Sequence, residues 1–242
     1  MSWRFLILFC IITNAQEISA SEKQAPVQDL SDNIIIDKPG SFVLNIPAGD
    51  IPDWSENYCK NAVDSQVLFN GVSLDGWEVI DFTGHGSVSI DDSCVIIGMG
   101  LGITGIKWTK DFPKTNYEVS LDAKRVEGDD FFCGLTFPVK ESFCTFVIGG
   151  WGGSIVGLSS IDDEDAANNI TYDFRNFVSD RWYKIRLIVT DEKIEAWIDK
   201  DKIVDFTIGN HRISLRWEAE SSKPFGIVTW QTTGAVRNIK LN

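Results

Sequence analysis

The stretch LFNGVSLDGW, residues 68–77, decides the fold of this chain. The apolar residues Val67 to Phe69 predict a short strand, and Asn70-Gly71 is the dipeptide best suited to a tight turn with positive φ. A second turn, Asp75-Gly76, leads into Trp77–Phe82, which alternates like a half-buried strand. The stretch therefore predicts the start of a β domain.

Apolar and polar residues continue to alternate along the rest of the chain with the period of two that strands require. The alternation is clearest at Tyr117–Lys124 and at Tyr183–Val189. Such patterns recur from residue 67 onward at the spacing expected of a β-sandwich, and no long stretch keeps apolar residues at helical spacing. The sequence therefore predicts an all-β domain over residues 66–242, made of two packed antiparallel sheets.

The N-terminus has the pattern of a secretory signal peptide. Arg4 precedes the apolar run Phe5–Ile12, and Ile18-Ser19-Ala20 is a plausible cleavage site, with Ala15 as the other candidate. The apolar run is far shorter than the roughly 20 residues needed to span a bilayer. We therefore expect removal of residues 1–20 on export, a periplasmic or extracellular protein, and no membrane span.

Residues 21–65 differ in composition from the domain that begins after them. They contain four prolines and many polar residues, with two short apolar pieces at Ile34–Ile36 and Phe42–Ile46. We interpret them as a short N-terminal extension that adds a strand or lies on the domain surface. One hypothesis for this extension is that it binds a partner protein at the cell surface or envelope.

The composition limits the class of partner. The formal net charge is −13, which opposes binding to nucleic acid and to anionic membranes, because both require basic patches. Nine Trp supply a substantial core and leave rings for a binding face. A neutral or cationic partner is expected, and a nucleic acid is not.

The exported part of the chain contains four cysteines, which in an oxidising compartment could form two disulfides: Cys59, Cys94, Cys133 and Cys144. Phe131–Phe137 and Phe143–Ile148 predict the two arms of a hairpin. Folding that hairpin about its middle sets Cys133 opposite Cys144 and predicts a disulfide between them. The alternative is two buried free thiols that pack as small hydrophobes.

Three stretches carry a family resemblance: residues 68–77 (LFNGVSLDGW), 181–199 (RWYKIRLIVTDEKIEAWID) and 224–241 (PFGIVTWQTTGAVRNIKL). Through them, residues 67–242 resemble the family first catalogued as a domain of unknown function and later named for 3-keto-disaccharide hydrolases. The resemblance implies a concanavalin-A-like jelly roll and an exported bacterial protein that acts on carbohydrate.

The resemblance also implies a chemistry. Enzymes of this family act on sugars oxidised at C3, where the ketone acidifies the C2 proton; a base removes that proton, the glycosidic group is eliminated, and water is added afterwards. Their last motif often presents a His beside a Gly, where this chain has Thr232-Thr233-Gly234. Two hypotheses result: a hydrolase or lyase that cleaves 3-keto-glycosides, and a non-catalytic, lectin-like glycan-binding module.

Aromatic residues are the candidates for stacking on a sugar ring. Trp151 stands between pairs of glycines in Gly149–Gly153, which would leave its ring free to stack and its N–H free to donate. The alternative is a core Trp beside a glycine-rich corner. Trp230, in a late predicted strand, is the second candidate.

Four polar residues are the candidates for chemistry. His85, in a Gly-flanked turn, and Asp130, before the predicted hairpin, are the candidate bases, with turn roles as the alternative. Arg216 and Gln231 could hydrogen-bond sugar hydroxyls or a keto oxygen. Their alternative roles are a surface ion pair and packing on a sheet face.

An acidic run in a predicted loop suggests a cation site. Asp162, Asp163 and Asp165 could bind Ca²⁺, which prefers several oxygen ligands. The spacing is not that of an EF-hand, and acidic runs are usually solvated. The cofactor expectation is therefore none, with Ca²⁺ as the alternative.

Overall fold

The computed structural model describes residues 34–38, 41–44 and 65–242, so the predicted signal peptide and most of the predicted extension lie outside the described residues. Strands β1 (Ile34–Lys38) and β2 (Ser41–Leu44) pair antiparallel in a two-stranded sheet. Ser65–Asn242 is a compact unit of its own. Within the described part of the chain, no helix has the length and apolar character needed to cross a membrane.

The Ser65–Asn242 unit consists mainly of strands, as the sequence predicts. They are β3 (Gln66–Val67), β4 (Trp77–Val79), β5 (Val88–Asp91), β6 (Cys94–Ile97), β7 (Ile103–Trp108), β8 (Tyr117–Gly128), β9 (Cys133–Val139), β10 (Ser142–Gly149), β11 (Ile155–Ser159), β12 (Asp173–Phe174), β13 (Tyr183–Val189), β14 (Lys193–Ile198), β15 (Asp201–Thr207), β16 (Gly226–Trp230) and β17 (Thr232–Leu241). A single helical turn spans Gly150–Gly153, and a 3-10 helix spans Trp217–Ser222.

The strands form two antiparallel sheets. One has the order β12-β11-β10-β9-β16-β7-β4, and the other has the order β15-β14-β13-β8-β17-β6-β5, with β3 paired to the end of β17. A single cluster of buried side chains, drawn from both sheets, fills the space between them. The predicted all-β, two-sheet jelly roll is confirmed.

Period-two burial explains how the strands form this core. In β8, the apolar residues Tyr117, Val119, Leu121 and Ala123 are buried, whereas the polar residues between them are only partly buried. The same pattern holds in β13. Burying the apolar face of each strand removes it from water, which is the main favourable contribution to folding.

The opening stretch is held by its own turn and by contacts with β17. Gly71 has a φ of 84°, and the side chain of Asn70 accepts the backbone N–H of Ser73. The buried Trp77 donates its indole N–H to the Leu68 carbonyl at 2.8 Å, and the Leu68 N–H donates to the carbonyl of Ile239 in β17. The first and last stretches of the family resemblance therefore meet in the structure.

The predicted disulfide is wrong. In the β9–β10 pair, Cys133 lies opposite Ile148 and Cys144 lies opposite Phe137, because the hairpin reverses in a two-residue turn at 140–141. The two cysteines are thus four residues out of register, about 13 Å at roughly 3.3 Å per residue, beyond the reach of a disulfide. Both are buried free thiols, and burial raises the pKa of each.

Candidate functional site

A cleft of about 270 Å³ lies on the outer face of the seven-stranded sheet. Phe146 and Ile148 of β10 point into the core, whereas Thr145 and Val147 point into the cleft, as strand alternation requires. The lining residues come from several strands, the turn after β10 and the 3-10 helix: Ile103, Asp130, Phe131, Thr145, Val147, Trp151, Ser159, Arg216, Glu218, Ala219, Val228 and Trp230.

The cleft has an apolar floor. Val228 is buried in a small cluster with Ile80 and Phe82, and Ile103 and Phe131 pack against it. The Phe131 ring also lies 6.5 Å from the ring of Trp230, which lines the cleft. An apolar floor of this kind suits the C–H face of a sugar ring.

The turn at Gly150–Gly153 presents Trp151 to solvent. Trp151 has a φ of 49°, in the left-handed region that non-glycine residues rarely adopt, and its side chain is 44% exposed. Gly149 and Gly152 also have positive φ, so the chain turns left-handed around the Trp. The proposed core Trp is thus not observed, since Trp151 stands at the mouth of the cleft.

Arg125 stabilises this turn through hydrogen bonds to backbone carbonyl groups. It is buried, and its Nη2 donates to the carbonyl oxygens of Gly153 (2.9 Å) and Asp130 (3.2 Å). Gly149 has a φ of 78°, which strains any larger residue, and a Cβ there would lie 2.7 Å from the same nitrogen and displace it. Burial lowers the pKa of Arg125, and the nearby Asp130 partly offsets that effect.

Asp130 connects the turn to the sheet. Its Oδ1 accepts the Phe131 N–H at 2.7 Å, and its Oδ2 accepts the Gly152 N–H at 3.2 Å. Its own N–H donates to Thr232 Oγ1 at 3.0 Å. Each carboxylate oxygen keeps lone-pair capacity for a further proton or donor.

Arg216 and Glu218 contribute two charged groups to the cleft lining. The Arg216 guanidinium donates to both Glu218 oxygens, at 2.8 and 3.3 Å, and through Nη1 to Asp165 at 3.0 Å. This fork lowers the pKa of Glu218 and raises that of Arg216. The contacts use three of the five guanidinium N–H groups, so two are left for a ligand.

A row of hydroxyl groups crosses the outer face of the sheet toward the cleft. Ser222 Oγ donates to Thr136 Oγ1 at 2.8 Å, and Thr136 Oγ1 lies 3.1 Å from Thr145 Oγ1. Ser159 pairs with Thr145 across β10 and β11, and its buried Oγ has no hydrogen-bond partner within the described residues. The row fixes the 3-10 helix to the sheet and places hydroxyl groups in the lining.

The structure brings together four of the six residues predicted for catalysis and substrate binding: Asp130, Trp151, Arg216 and Trp230. His85 and Gln231 do not line the cleft. His85 donates from Nδ1 to the Gly86 carbonyl at 2.7 Å, and Gln231 donates from Nε2 to the Leu101 carbonyl at 2.8 Å. The His85 contact fits the turn role given as its alternative, whereas Gln231 binds a loop carbonyl rather than packing on a sheet face.

The predicted Ca²⁺ site is wrong. Asp162 accepts from His211 at 2.7 Å, Asp163 accepts from Arg212 at 2.7 Å, and Asp165 accepts from Arg216. Among the residues that the structure describes, no three His, Cys, Asp or Glu side chains are grouped as a metal site would need. Asp162, Asp163 and Asp165 thus each bind a neighbouring His or Arg side chain rather than converging on one point.

Sequence reasoning missed Glu218, Ser159 and Arg125. Arg125 had a usable signal, because it falls on the core-facing phase of the Tyr117–Ala123 alternation, where a guanidinium is unexpected. Glu218 and Ser159 had none, because their approach to the cleft depends on contacts between distant segments.

Comparisons with known proteins agree with this architecture. Residues 64–242 match the family model described as a 3-keto-alpha-glucoside-1,2-lyase-like domain. The chain is similar to a Bacillus subtilis protein of unknown function with a galectin-like fold, at 11% identity and a TM-score of 0.52, covering 74% of this chain and 94% of that one. At such identity, the likeness shows the fold alone.

Two further solved structures are similar at lower TM-scores. One is a carbohydrate binding module from Bacillus subtilis, at 15% identity and 0.46, covering 68% of this chain and 93% of that one. The other is a laminarinase from Flavobacterium, at 12% identity and 0.48, covering 73% and 97%. No curated protein gives a significant match to the chain.

Proposed function

This chain belongs, over residues 64–242, to the 3-keto-alpha-glucoside-1,2-lyase-like domain family, and from that membership we propose that it binds a 3-keto-glycoside in the cleft and cleaves it by elimination. One observation carries the proposal. Two Trp, two carboxylates and a guanidinium converge on a single cleft of about 270 Å³. A sugar-cleaving site needs this combination of stacking surface and charged groups.

Binding comes from the aromatic residues. Trp151 at the mouth and Trp230 in the lining offer flat apolar surfaces to the C–H face of a sugar ring. Arg216, Glu218 and the hydroxyl of Thr145 offer donors and acceptors for the ring hydroxyl groups. Apolar surface and polar groups together set the orientation of the sugar.

The chemistry assigns roles to two of the three charged groups in the lining, Asp130 and Arg216. Asp130 takes the C2 proton, the electron pair moves into the enolate on the C3 oxygen, and the free N–H groups of Arg216 stabilise that oxyanion. The C1–O bond then breaks, and the leaving oxygen takes a proton from the protonated Asp130 or from water. Water addition to the resulting double bond gives the free 3-keto sugar.

We assign the proton acceptor to Asp130 because of its position in the cleft lining. His85 does not line the cleft. The Arg216 fork lowers the pKa of Glu218, so this carboxylate holds a proton poorly. The Asp130 oxygens accept backbone N–H groups instead of a guanidinium, and they face the lining.

Release of free sugar from a 3-keto-disaccharide tests this function. Wild-type protein should release it, and Asp130→Asn and Arg216→Gln should each lower kcat at least a hundredfold, the usual scale for losing an acid–base or oxyanion-stabilising group. Asp163→Asn, which breaks an exposed ion pair outside the cleft, is the control and should retain full activity. No release across a panel of such substrates contradicts the proposal.

The second candidate function is glycan binding without cleavage. It is favoured by the contacts of Asp130 and Arg216, which already bind partners within the protein, and by the stretch Thr232-Thr233-Gly234, which contains no His where enzymes of this family often present one beside a Gly. Binding of intact glycans, lost in Trp151→Ala and accompanied by no bond cleavage, would favour this alternative.

We also propose that the protein is exported, and the sequence of its N-terminus supports this proposal. Residues 1–20 have the charged, apolar and small-residue pattern of a signal peptide. Mass spectrometry of the protein recovered outside the bacterial cytoplasm should find an N-terminus at residue 21 or, for the other cleavage site, residue 16. A full-length protein retained in the cytoplasm contradicts export.

A further inference from the structure

The buried hydroxyl of Ser159 has no hydrogen-bond partner within the described residues. Ser159 is 1% exposed and ends β11, where strand alternation sets Val156 and Leu158 in the core and Ser159 on the outer face that forms the cleft. A buried hydroxyl without a partner costs the fold free energy, because it has given up its hydrogen bonds to water. Such a group needs an explanation, and a ligand that accepts its proton supplies one.

Backbone pairing sets Ser159 beside the segment that carries Arg216. Ser160 donates its N–H to the carbonyl of Ser214 at 2.8 Å, and the N–H of Ser214 donates back to the carbonyl of Ser160 at 3.1 Å. Ser159 directly precedes this antiparallel pair in one segment, Arg216 follows it closely in the other, and both line the cleft. The uncommitted O–H of Ser159 and the free N–H groups of Arg216 therefore belong to the same side of the lining.

The other hydroxyl of the lining is already committed. Thr145, which pairs with Ser159 across β10 and β11, lies 3.1 Å from the Thr136 hydroxyl, and that hydroxyl accepts from Ser222 at 2.8 Å. Of the two hydroxyl residues in the lining, Ser159 is thus the one whose proton is unused. A keto oxygen carries lone pairs and no proton, so a donor without another acceptor suits it.

We propose that Ser159 donates a hydrogen bond to the keto oxygen at C3 of the bound sugar, beside Arg216. As the C2 proton leaves, negative charge grows on that oxygen, and a fixed O–H donor stabilises the enolate more strongly than the ketone. This role rests on the proposed elimination, because it assumes that the reacting ring lies in the cleft. The ligand then satisfies the hydroxyl that the protein leaves without a partner.

The variant Ser159→Ala tests this contact by activity and by stability together. It should lower kcat for a 3-keto-glycoside about a hundredfold with little change in KM, as expected for a donor that acts mainly in the transition state. It should leave Tm unchanged or raise it, because the hydroxyl it removes is unpaired in the free protein. A hydroxyl with a structural role would give the opposite result, a lower Tm.

Thr229→Val is the matched control. The buried hydroxyl of Thr229 also lacks a partner in the described part of the chain, but it lies on the face of β16 opposite to Val228 and Trp230, which line the cleft. This variant should likewise keep Tm, and it should retain full activity. The comparison separates the loss of an unpaired hydroxyl from the loss of a contact with the sugar.

Each outcome decides the role of Ser159. A wild-type kcat in Ser159→Ala, or a marked fall in Tm, overturns it. If the wild-type protein cleaves no 3-keto-glycoside, the proposed elimination fails, and Ser159 is judged by calorimetry with methyl 3-keto-glucoside and with methyl 3-deoxy-glucoside, which has no oxygen at C3. A loss of affinity of about fivefold in Ser159→Ala, confined to the keto sugar, then supports the contact. Equal losses, no loss, or no binding of either sugar by wild-type protein overturn it.

Discussion

The Oδ2 atom of Asp130 accepts the backbone N–H of Gly152 at 3.2 Å, next to the Trp that stands at the mouth of the cleft. The proposed proton acceptor thus also fixes the turn that presents the stacking ring. Arg125 adds to the same arrangement by binding the carbonyl oxygens of Asp130 and Gly153. Base and ring are therefore positioned as one unit.

The first prediction concerns Asp130. An Asn at this position keeps one acceptor oxygen and loses the other, so one of the two backbone N–H groups loses its partner. We expect Asp130→Asn to lower kcat at least a hundredfold and the free energy of unfolding by about 1 kcal/mol. Kinetics and urea denaturation measure the two effects, with the exposed neighbour variant Asp129→Asn as the control. Unchanged kcat with lost stability would leave Asp130 a purely structural role.

The second prediction separates binding from stability at Trp151. Its left-handed backbone costs a non-glycine residue roughly 1 kcal/mol, which glycine does not incur. We expect Trp151→Gly to weaken sugar affinity about tenfold without lowering Tm, because the side chain is 44% exposed. Calorimetry and thermal melting test this. A marked drop in Tm would mean that the ring packs into the fold rather than serving the ligand.

The third prediction concerns the pH dependence of stability through Glu218. Arg216 lowers the folded-state pKa of Glu218 below its ordinary value of 4.5, so the pair stabilises the fold above that pH and the contribution is lost as the pH falls through the folded-state pKa. Wild-type protein should lose more stability between about pH 5 and pH 3 than Glu218→Gln, by less than about 1 kcal/mol for this partly exposed pair.

The control for that comparison is Glu220→Gln, which removes an exposed carboxylate paired with Lys223 on the same 3-10 helix. Urea denaturation at a series of pH values gives the three curves. Parallel curves for wild-type protein and Glu218→Gln would show that the fork to Arg216 does not contribute.

The fourth prediction concerns the buried thiols. Burial raises the pKa of Cys144 to about 12 and also raises that of Cys133, so neither forms the thiolate that alkylating reagents require. Iodoacetamide at pH 8 should leave both unmodified in the native protein and label both after unfolding without reductant. Failure to label them in the unfolded, unreduced protein would mean that they are disulfide-bonded.

The sequence predicted the sandwich because strand alternation is a local signal. The periods at Tyr117–Lys124 and Tyr183–Val189 matched the burial of β8 and β13. The register of the β9–β10 hairpin was not predicted, because Lys140 adopts a φ of 56°, which non-glycine residues rarely do, and the turn is therefore shorter than the sequence suggested. That difference of turn length removed the expected disulfide.

The candidate site was predictable only where a residue carried its own signal. The glycines around Trp151 marked an exposed ring, and Asp130 stood at the entry to a hairpin. Glu218 reaches the cleft because its helix is held by Ser222 and Thr136, which are 86 positions apart in the chain. No pattern within a single segment records such a contact.

The measurement that tests the central claim most directly is the reaction of wild-type protein with a 3-keto-disaccharide in deuterium oxide, followed by NMR. Elimination and readdition of water predict a released 3-keto sugar that carries deuterium at C2, above the level of spontaneous exchange in the product incubated without protein. Release without deuterium at C2, or binding with no release at all, would contradict the account.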